Sequence, residues 1–368
     1  MTAMPDLRLG FSGSYAPEDV CFLLKPLPAA FVPVADKERR IQSGQAHYSE
    51  MLSVEPAPSA AYVALYEAAL ARHGPRLAGH VNQLAASLID HWQGAGARDR
   101  VIVSLLRAGT PIGVLLARRL RRLGHAVAHY SISIIRDRGI DRNALATIVQ
   151  RHGRHGLVFV DGWTGKGSIA GELRGPRGPA AMGVAPVLAV IADPAGRADL
   201  AATPEDYVIP SGILNGTISG LVSRSVLNAA IGPDDFHGCV LLDHLAPADR
   251  SRSFVDHVAA LGDALPIELP AGWNPSMRPA LADACDRLIA AIMQQHGVTD
   301  RNRIKPGIAE ATRALLRRVP DRLLLRDSDD PDVAHLLQLA QGQGVPIGPL
   351  PPDCPFRAAT IIASLGGE

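Results

Sequence analysis

Disulfide chemistry has little to work with in this chain. Its four cysteines, Cys21, Cys239, Cys285 and Cys354, lie far apart and form no C-x-x-C pair. That spacing indicates neither a disulfide framework nor a structural zinc site. An excess of one charge is missing as well, because 37 basic and 36 acidic residues leave a formal net charge of +1. The whole molecule is no polycation, so nucleic-acid binding needs a local patch. Long apolar runs are absent. The longest, Ala180 to Ala192, contains Gly183 and Pro186 and ends at Asp193, which suits a buried strand with its approach and no membrane span. The opening MTAMPDLRLG lacks the apolar stretch of a secretory signal. These absences make a reduced cytoplasm the expected location. Lysine is also rare: Lys25, Lys37, Lys166 and Lys305 are the only ones. A bias toward Arg, Ala and Pro reads as GC-rich coding, so the arginine number alone carries no function. Lys166, inside a glycine-rich loop, stands out against it.

What is present is enough for a large core. The 368 residues are 47% hydrophobic and 20% charged, which excludes global disorder and suggests two units of unequal size. The first 60 or so residues read as irregular. Ala60 to Ala71 and Ala78 to Trp92 have helical spacing. From Arg100 onward, apolar strands alternate with helices: strands at Val101 to Leu105, Ala126 to Ile135, Leu157 to Asp161 and Val187 to Ala192, and helices at 111–123, 143–151 and from Ser168. Strands buried on both faces and separated by helices predict a parallel α/β sheet. Leu265 to Pro275 reads as a linker. Beyond it, helix, strand, helix, strand follow in about 70 residues, a second small α/β unit. The expected division is 1–262, a linker and helix over 263–297, and 298–368.

The most informative motif is Val158-Phe-Val-Asp-Gly-Trp-Thr-Gly-Lys-Gly-Ser168. A hydrophobic strand delivers Asp161 at its carboxyl end, and a turn with Gly162, Gly165 and Gly167 precedes a helix. Amides converging at a helix start favour an anion, and Thr164, Lys166 and Ser168 add donors. A P-loop requires Lys followed directly by Ser or Thr, and here Gly167 intervenes. A glycine-rich connection without a ligand is the plainer alternative. A second loop, Leu106-Arg-Ala-Gly-Thr-Pro111, follows strand 101–105, and Arg107 there can face the same crevice, though an ordinary strand-to-helix turn has the same look.

On these two loops the chain resembles the type I phosphoribosyltransferases. The resemblance implies that Asp161 holds ribose hydroxyls, Thr164, Gly165, Lys166, Gly167 and Ser168 cradle a 5-phosphate, and Ala108, Gly109 and Thr110 with Arg107 hold pyrophosphate. It implies phosphoribosyl pyrophosphate or a ribose 5-phosphate compound as substrate, Mg2+ accompanying it, and transfer to a base-like acceptor or the reverse phosphorolysis. A homodimer is compatible with it. One departure is plain: the usual signature has two adjacent acids, and Gly162 occupies the second place. Further stretches, Gly13 to Val20, Ile41 to Gly44, His47 to Glu50 and Pro210 to Gly220, resemble a divergent phosphoribosyltransferase-like family of tellurite-resistance and stress gene clusters, whose members often carry a cysteine-protease label. Proteolysis finds little support in the residues, since Cys21 and Cys239 sit in apolar, strand-like contexts typical of core cysteines, and no G-x-S-x-G elbow is present.

Other constellations are weaker. Arg136 and Arg138, in Ile135 to Arg142, can form a mobile loop over pyrophosphate or a charge-balanced turn. His47, Tyr48, Ser49 and Glu50 can hood a base or make a surface turn. Asn215, Thr217, Ser219, Ser223 and Arg224 form a polar run that can line the same crevice. His152-x-x-His155 has a metal-compatible spacing, but its flanking glycines suggest a helix end. The C-terminal unit resembles the Pelota RNA-binding α/β/α fold, which implies RNA contact through Arg301, Arg303 and Lys305. Between Asp300 and Arg318 six basic residues face two acids, a local patch suited to phosphates, with no aromatics for base stacking. An RNA-binding regulator whose first unit senses a nucleotide without turnover is the alternative to the transferase.

Overall fold

A computed structural model of the chain describes residues 10–265 and 272–364. The fold is mixed α/β, with a central parallel sheet flanked by helices. Six strands lie in the order Cys21–Phe22, Ala128–Ile132, Val101–Leu105, Leu157–Trp163, Leu188–Ala192 and Leu200–Thr203, all neighbours parallel. Alternate side chains along each strand go to opposite faces, as the two-residue strand period requires. Ile102, Val158 and Val160 join the core under helices Ala60–Gly94, Gly109–Arg122 and Ser251–Asp263. Val101, Val103 and Phe159 join a separate core under Arg142–His152 and Ser168–Arg174.

Two local readings change. The two predicted helices at 60–71 and 78–92 are one helix, Ala60–Gly94, with Pro75 inside it. Proline removes a backbone donor and normally breaks a helix. Here Tyr62 and Tyr66 before it and Leu77, Val81, Leu84 and Leu88 after it bury one continuous stripe, and tertiary packing carries the helix across. The stretch read as irregular contains a helix, Val34–Gln42, whose Lys37 and Glu38 are buried. Charged residues on its inward side hide the pattern a sequence reader looks for.

The C-terminal region has a four-stranded sheet in the order Ile304–Pro306, Ala358–Ile362, Pro320–Leu325 and Ile347–Pro349, the last pair parallel and the others antiparallel. Helix Arg278–His296 packs Cys285, Leu288, Ile289 and Ile292 against Ile304, Leu324 and Ile361 of that sheet. The opposite face, with helices Ile308–Arg317 and Ala334–Gly342, is continuous with the first region's core. Part of the expected linker, 266–271, lies outside the described residues. Among the described residues no helix is long and apolar enough to cross a membrane.

Candidate anion-binding cleft

A cavity of about 300 Å3 opens where the carboxyl end of strand 157–163 meets the C-terminal region. The glycine loop is what permits the approach. A Cβ on Gly165 would sit 3.2 Å from Glu310 Cγ, and Gly167 has a φ of +95°, a conformation glycine adopts without steric cost. Lys166 Nζ then crosses to the C-terminal region, donating to Arg301 O at 2.6 Å and Ile304 O at 2.9 Å.

The walls are strongly cationic. Lys37, Arg136, Lys166 and Arg224 come from the first region, and Lys305, Arg313, Arg317 and Arg318 from the C-terminal one; the acids are Asp161 and Glu310. Some of these charges have partners. Arg318 makes a two-pronged pair with the buried Glu38. Arg313 reaches Glu310 at 3.4 Å and lies 4.4 Å above the Trp163 ring. Arg136 pairs with Asp137 at 3.1 Å. Others do not. Arg224 donates to Met51 O, while its Nη1 is buried without a partner. Lys37 has one carbonyl, Arg317 O, at 3.4 Å. Among the described residues the head groups of Lys305 and Arg317 have no hydrogen bond or ion pair, and Arg317 Nε is buried unpartnered.

This crowding moves the titrations in the direction physics demands. Burial, then the charges of Lys305 and Arg136, lower Lys166 to about 7. Burial and Arg224 lower Lys37 to about 8, and burial and Arg318 lower Lys305 to about 8. Arg224 falls to about 10, mainly through burial. Arg317 is pushed well down by burial and by Arg107. Asp161 moves the other way: burial raises it to about 7, although Arg313 and the Gly162 N–H, 2.8 Å from Oδ1, hold it back. An incoming anion would relieve every one of the cations.

The residues predicted for the site divide sharply. Asp161, Thr164, Gly165, Lys166, Gly167, Ser168, Arg136 and Lys305 line the cavity. Arg107 does not. It is buried in a two-pronged pair with Glu55, at 2.7 and 3.1 Å, and donates to Val222 O at 3.1 Å. Burial alone would raise Glu55, but the charges of Arg107 and Arg317 bring it down to about 2. Ala108, Gly109 and Thr110 do not line the cavity and are closely packed. A Cβ on Gly109 would sit 2.0 Å from Val160 O, and Thr110 Oγ1 lies 2.8 Å from Ser131 Oγ. Thr164 lines the cavity, but its hydroxyl donates to the buried Asp193 at 2.6 Å. Arg138 points away, 3.3 Å from Glu50. Arg301 is half-exposed and paired with Asp286 at 2.6 Å, and Arg303 Nε donates to Ile362 O at 2.8 Å. The expected outward basic patch is thus turned partly into the cleft. Of the polar run after Val208, Arg224 lines it, whereas Asn215 and Thr217 line a separate cavity. His152 sits between Tyr130 and Asp99, at 2.9 and 3.1 Å. Among the described residues no group of three or more His, Cys, Asp or Glu could hold a metal.

Sequence reading missed Lys37 as a site residue, and it assigned Arg313, Arg317 and Arg318 only to an RNA-facing surface. A signal existed: three of the chain's four lysines line this one cavity, while Lys25 pairs with Asp235 at 2.6 Å elsewhere.

The thiols complete the inventory. Burial pushes Cys239 up to about 12 and Cys285 up to about 11, and raises Cys21 and Cys354. Cys354 donates to Phe356 O at 2.9 Å. Cys21 is the least buried of the four, though a Cβ on Gly10 would sit 2.4 Å from its Sγ.

Comparison with known proteins assigns the family. Residues 13–259 match the family described as tellurite-like stress resistance cysteine protease StiP. The chain belongs to that family. Residues 283–364 match the Pelota RNA-binding domain. A curated relative, "Cysteine protease StiP" of Acinetobacter baylyi (strain ATCC 33305 / BD413 / ADP1), is 44% identical over 372 residues, covering 98% of this chain and 96% of its own. A solved structure described as "Analysis of an invariant aspartic acid in HPRTs-alanine mutant" is 16% identical with a TM-score of 0.28, covering 35% of this chain and 76% of its own. The expectation of a phosphoribosyltransferase is therefore corrected, because the family and the full-length relative are named for a hydrolase. Arg107 is held away from the cleft by Glu55, the Thr164 hydroxyl by Asp193, and Gly162 stands where a second acid was needed.

Proposed function

We propose that the chain binds RNA through its phosphates in this cleft. One observation carries the reading: eight cations meet two acids in a cavity whose second wall is the region matching the Pelota RNA-binding domain. Cations that lack protein partners favour phosphate oxygens as ligands, and release of counterions adds to the affinity. Lys305 is the contact residue of the C-terminal loop, with Arg301 and Arg303 peripheral to it. The first region reads as a phosphoribosyltransferase-like sheet kept as a phosphate-holding scaffold without the transfer chemistry, in line with the independence of fold and reaction. Asp161 and Glu310, set among eight cations, do not suit a resident magnesium. The test is fluorescence anisotropy with a single-stranded RNA of about 12 nucleotides at two salt concentrations. Binding that weakens steeply with salt is expected. No binding at low salt overturns the reading.

Proteolysis is a second reading, supported by the name of the 44%-identical relative. Under it Cys21 is the nucleophile, because it is the least buried thiol and lies on an edge strand in register with Tyr130, which contacts the His152–Asp99 pair. A thiolate nucleophile needs a lowered pKa, and burial acts against that here. Cys21→Ala decides the matter in a peptidase assay on the purified chain: loss of cleavage supports the reading, and retained cleavage overturns the assignment.

A further inference from the structure

The cleft has two ends of different character. At one, Arg136 and Lys166 to Ser168 are shared with an outer groove of about 570 Å3 of mixed charge, where Asp137, Glu172 and Asp286 lie beside Arg174, Arg197 and Arg301, each paired with an aspartate. At the other stand Lys37, Arg224 and Arg317, which separate the cleft from another cavity of about 330 Å3.

At the second end, among the described residues, no acid forms an ion pair with these cations. The Arg317 guanidinium has no hydrogen-bond or ion-pair partner among the described residues, Arg224 Nη1 is buried unpartnered, and Lys37 Nζ has only the Arg317 carbonyl at 3.4 Å. The nearby acids make their ion pairs elsewhere, Glu38 with Arg318 and Glu55 with Arg107, and Glu55 reaches Arg317 and Arg224 only as a more distant charge. Buried charges left uncompensated are costly, and these three would be compensated together by one tetrahedral oxyanion, whose several oxygens accept from several donors.

Size restricts what can bring that oxyanion. About 300 Å3 is the lower end of pockets for single small ligands. It holds roughly one nucleotide and not a passing strand. RNA lying along the outer groove can therefore place only its last nucleotide inside, past Lys166, with a terminal group against the far wall. We infer that Lys37, Arg224 and Arg317 bind the terminal phosphate of a single-stranded RNA, so that the protein recognises a phosphorylated strand end. This rests on the RNA reading above.

Four probes of one sequence, about 12 nucleotides long, test it by anisotropy: with a 5′-phosphate, with a 3′-phosphate, with hydroxyls at both ends, and circular. One phosphorylated probe is expected to bind about ten-fold or more tightly than the hydroxyl-ended one, and the circle most weakly. Which phosphate wins gives the polarity. Arg317→Gln and, separately, Lys37→Met should erase the preference, because each lowers affinity for the favoured phosphorylated probe about ten-fold more than for the hydroxyl-ended one. Circular dichroism identifies a variant that fails to fold, and the other then decides. Equal binding of all four probes overturns end recognition and leaves the RNA reading standing. A preference retained in the folded variants also overturns the assignment to this wall. Failure to bind any probe overturns both.

Discussion

Two of the places where the regions meet are opposites. Along the seam near strand Leu200–Thr203, charges are paired. His73 Nε2 lies 2.6 Å from Asp332 Oδ1, and Asp332 Oδ2 accepts from Arg357 Nη1 at 3.1 Å and from the Val208 N–H at 3.3 Å. Arg357 also reaches Asp330 at 2.9 Å. The Asp206 carboxylate, raised to about 6 by burial, accepts the Ile308 and Arg357 N–H groups, which anchors the start of helix 308–317. In the cleft, Arg317 at the other end of the same helix and Lys305 just before its start have no such side-chain partners among the described residues. A polar interface built only for cohesion satisfies its charges, since an unsatisfied buried charge lowers stability. The seam is cohesion. The cleft keeps uncompensated charge, the mark of a site that completes itself with a ligand.

Changes on the two sides should therefore have opposite signatures. The largest stability loss is expected from Asp332→Ala, which strips a shared acceptor from His73, Val208 and Arg357 and should cost about 3–5 kcal/mol in urea denaturation. A loss under about 1 kcal/mol would make the seam incidental. In the cleft, Lys305→Ala should leave the urea midpoint unchanged or raise it, because it removes an unpartnered buried cation. RNA affinity should drop about ten-fold at low salt, with a salt slope shallower by about one charge. A variant that loses stability and keeps its affinity would reverse the comparison.

A pH series sharpens it further. Lys166 titrates at about 7 and Lys37 and Lys305 at about 8 in the free protein. Their folded pKa values lie below the ordinary 10.5, so between about 7 and 10.5 the folded chain binds fewer protons than the unfolded one. Stability from these groups therefore rises with pH across that window. Bound phosphate favours the protonated amines, so affinity should run the other way and fall several-fold between about pH 7 and 9, with Asp161 ionising in the same sense. Affinity that is flat over this range would remove the lysines from the site. The smallest effect belongs to Arg301→Ala. Its pair with Asp286 is half-exposed, so a stability change below about 1 kcal/mol and a roughly two-fold affinity change are expected.

Much of this molecule was readable before folding, for stated reasons. The strands at 101–105, 157–163 and 188–192 are apolar on both faces, and such runs between helices have few other solutions. The glycine loop was found because a strand, an acid, three glycines and a helix start lie together in eleven residues. The long helix was divided because Pro75 is a strong local signal, and helix 34–42 was overlooked because its buried positions include Lys37 and Glu38. The roles of Arg107 and Thr164 misled for a related reason. Their positions follow a parallel strand, but their partners, Glu55 and Asp193, are 52 and 29 residues away in sequence.

By itself, then, the chain's order of residues determined the alternation of strands and helices, the placement of a glycine loop after Asp161, and a family resemblance whose membership comparison bears out. These depend on local spacing and on contiguous motifs. Only the tertiary structure decided which charges are compensated. A cation's function depends on whether an acid reaches it, and the acids here come from distant segments: Glu38 to Arg318, Glu55 to Arg107, Asp332 to Arg357. Lys37, Lys305, Arg224 and Arg317, which have no ion pair among the described residues, line the same cavity because separate segments of the chain close around it.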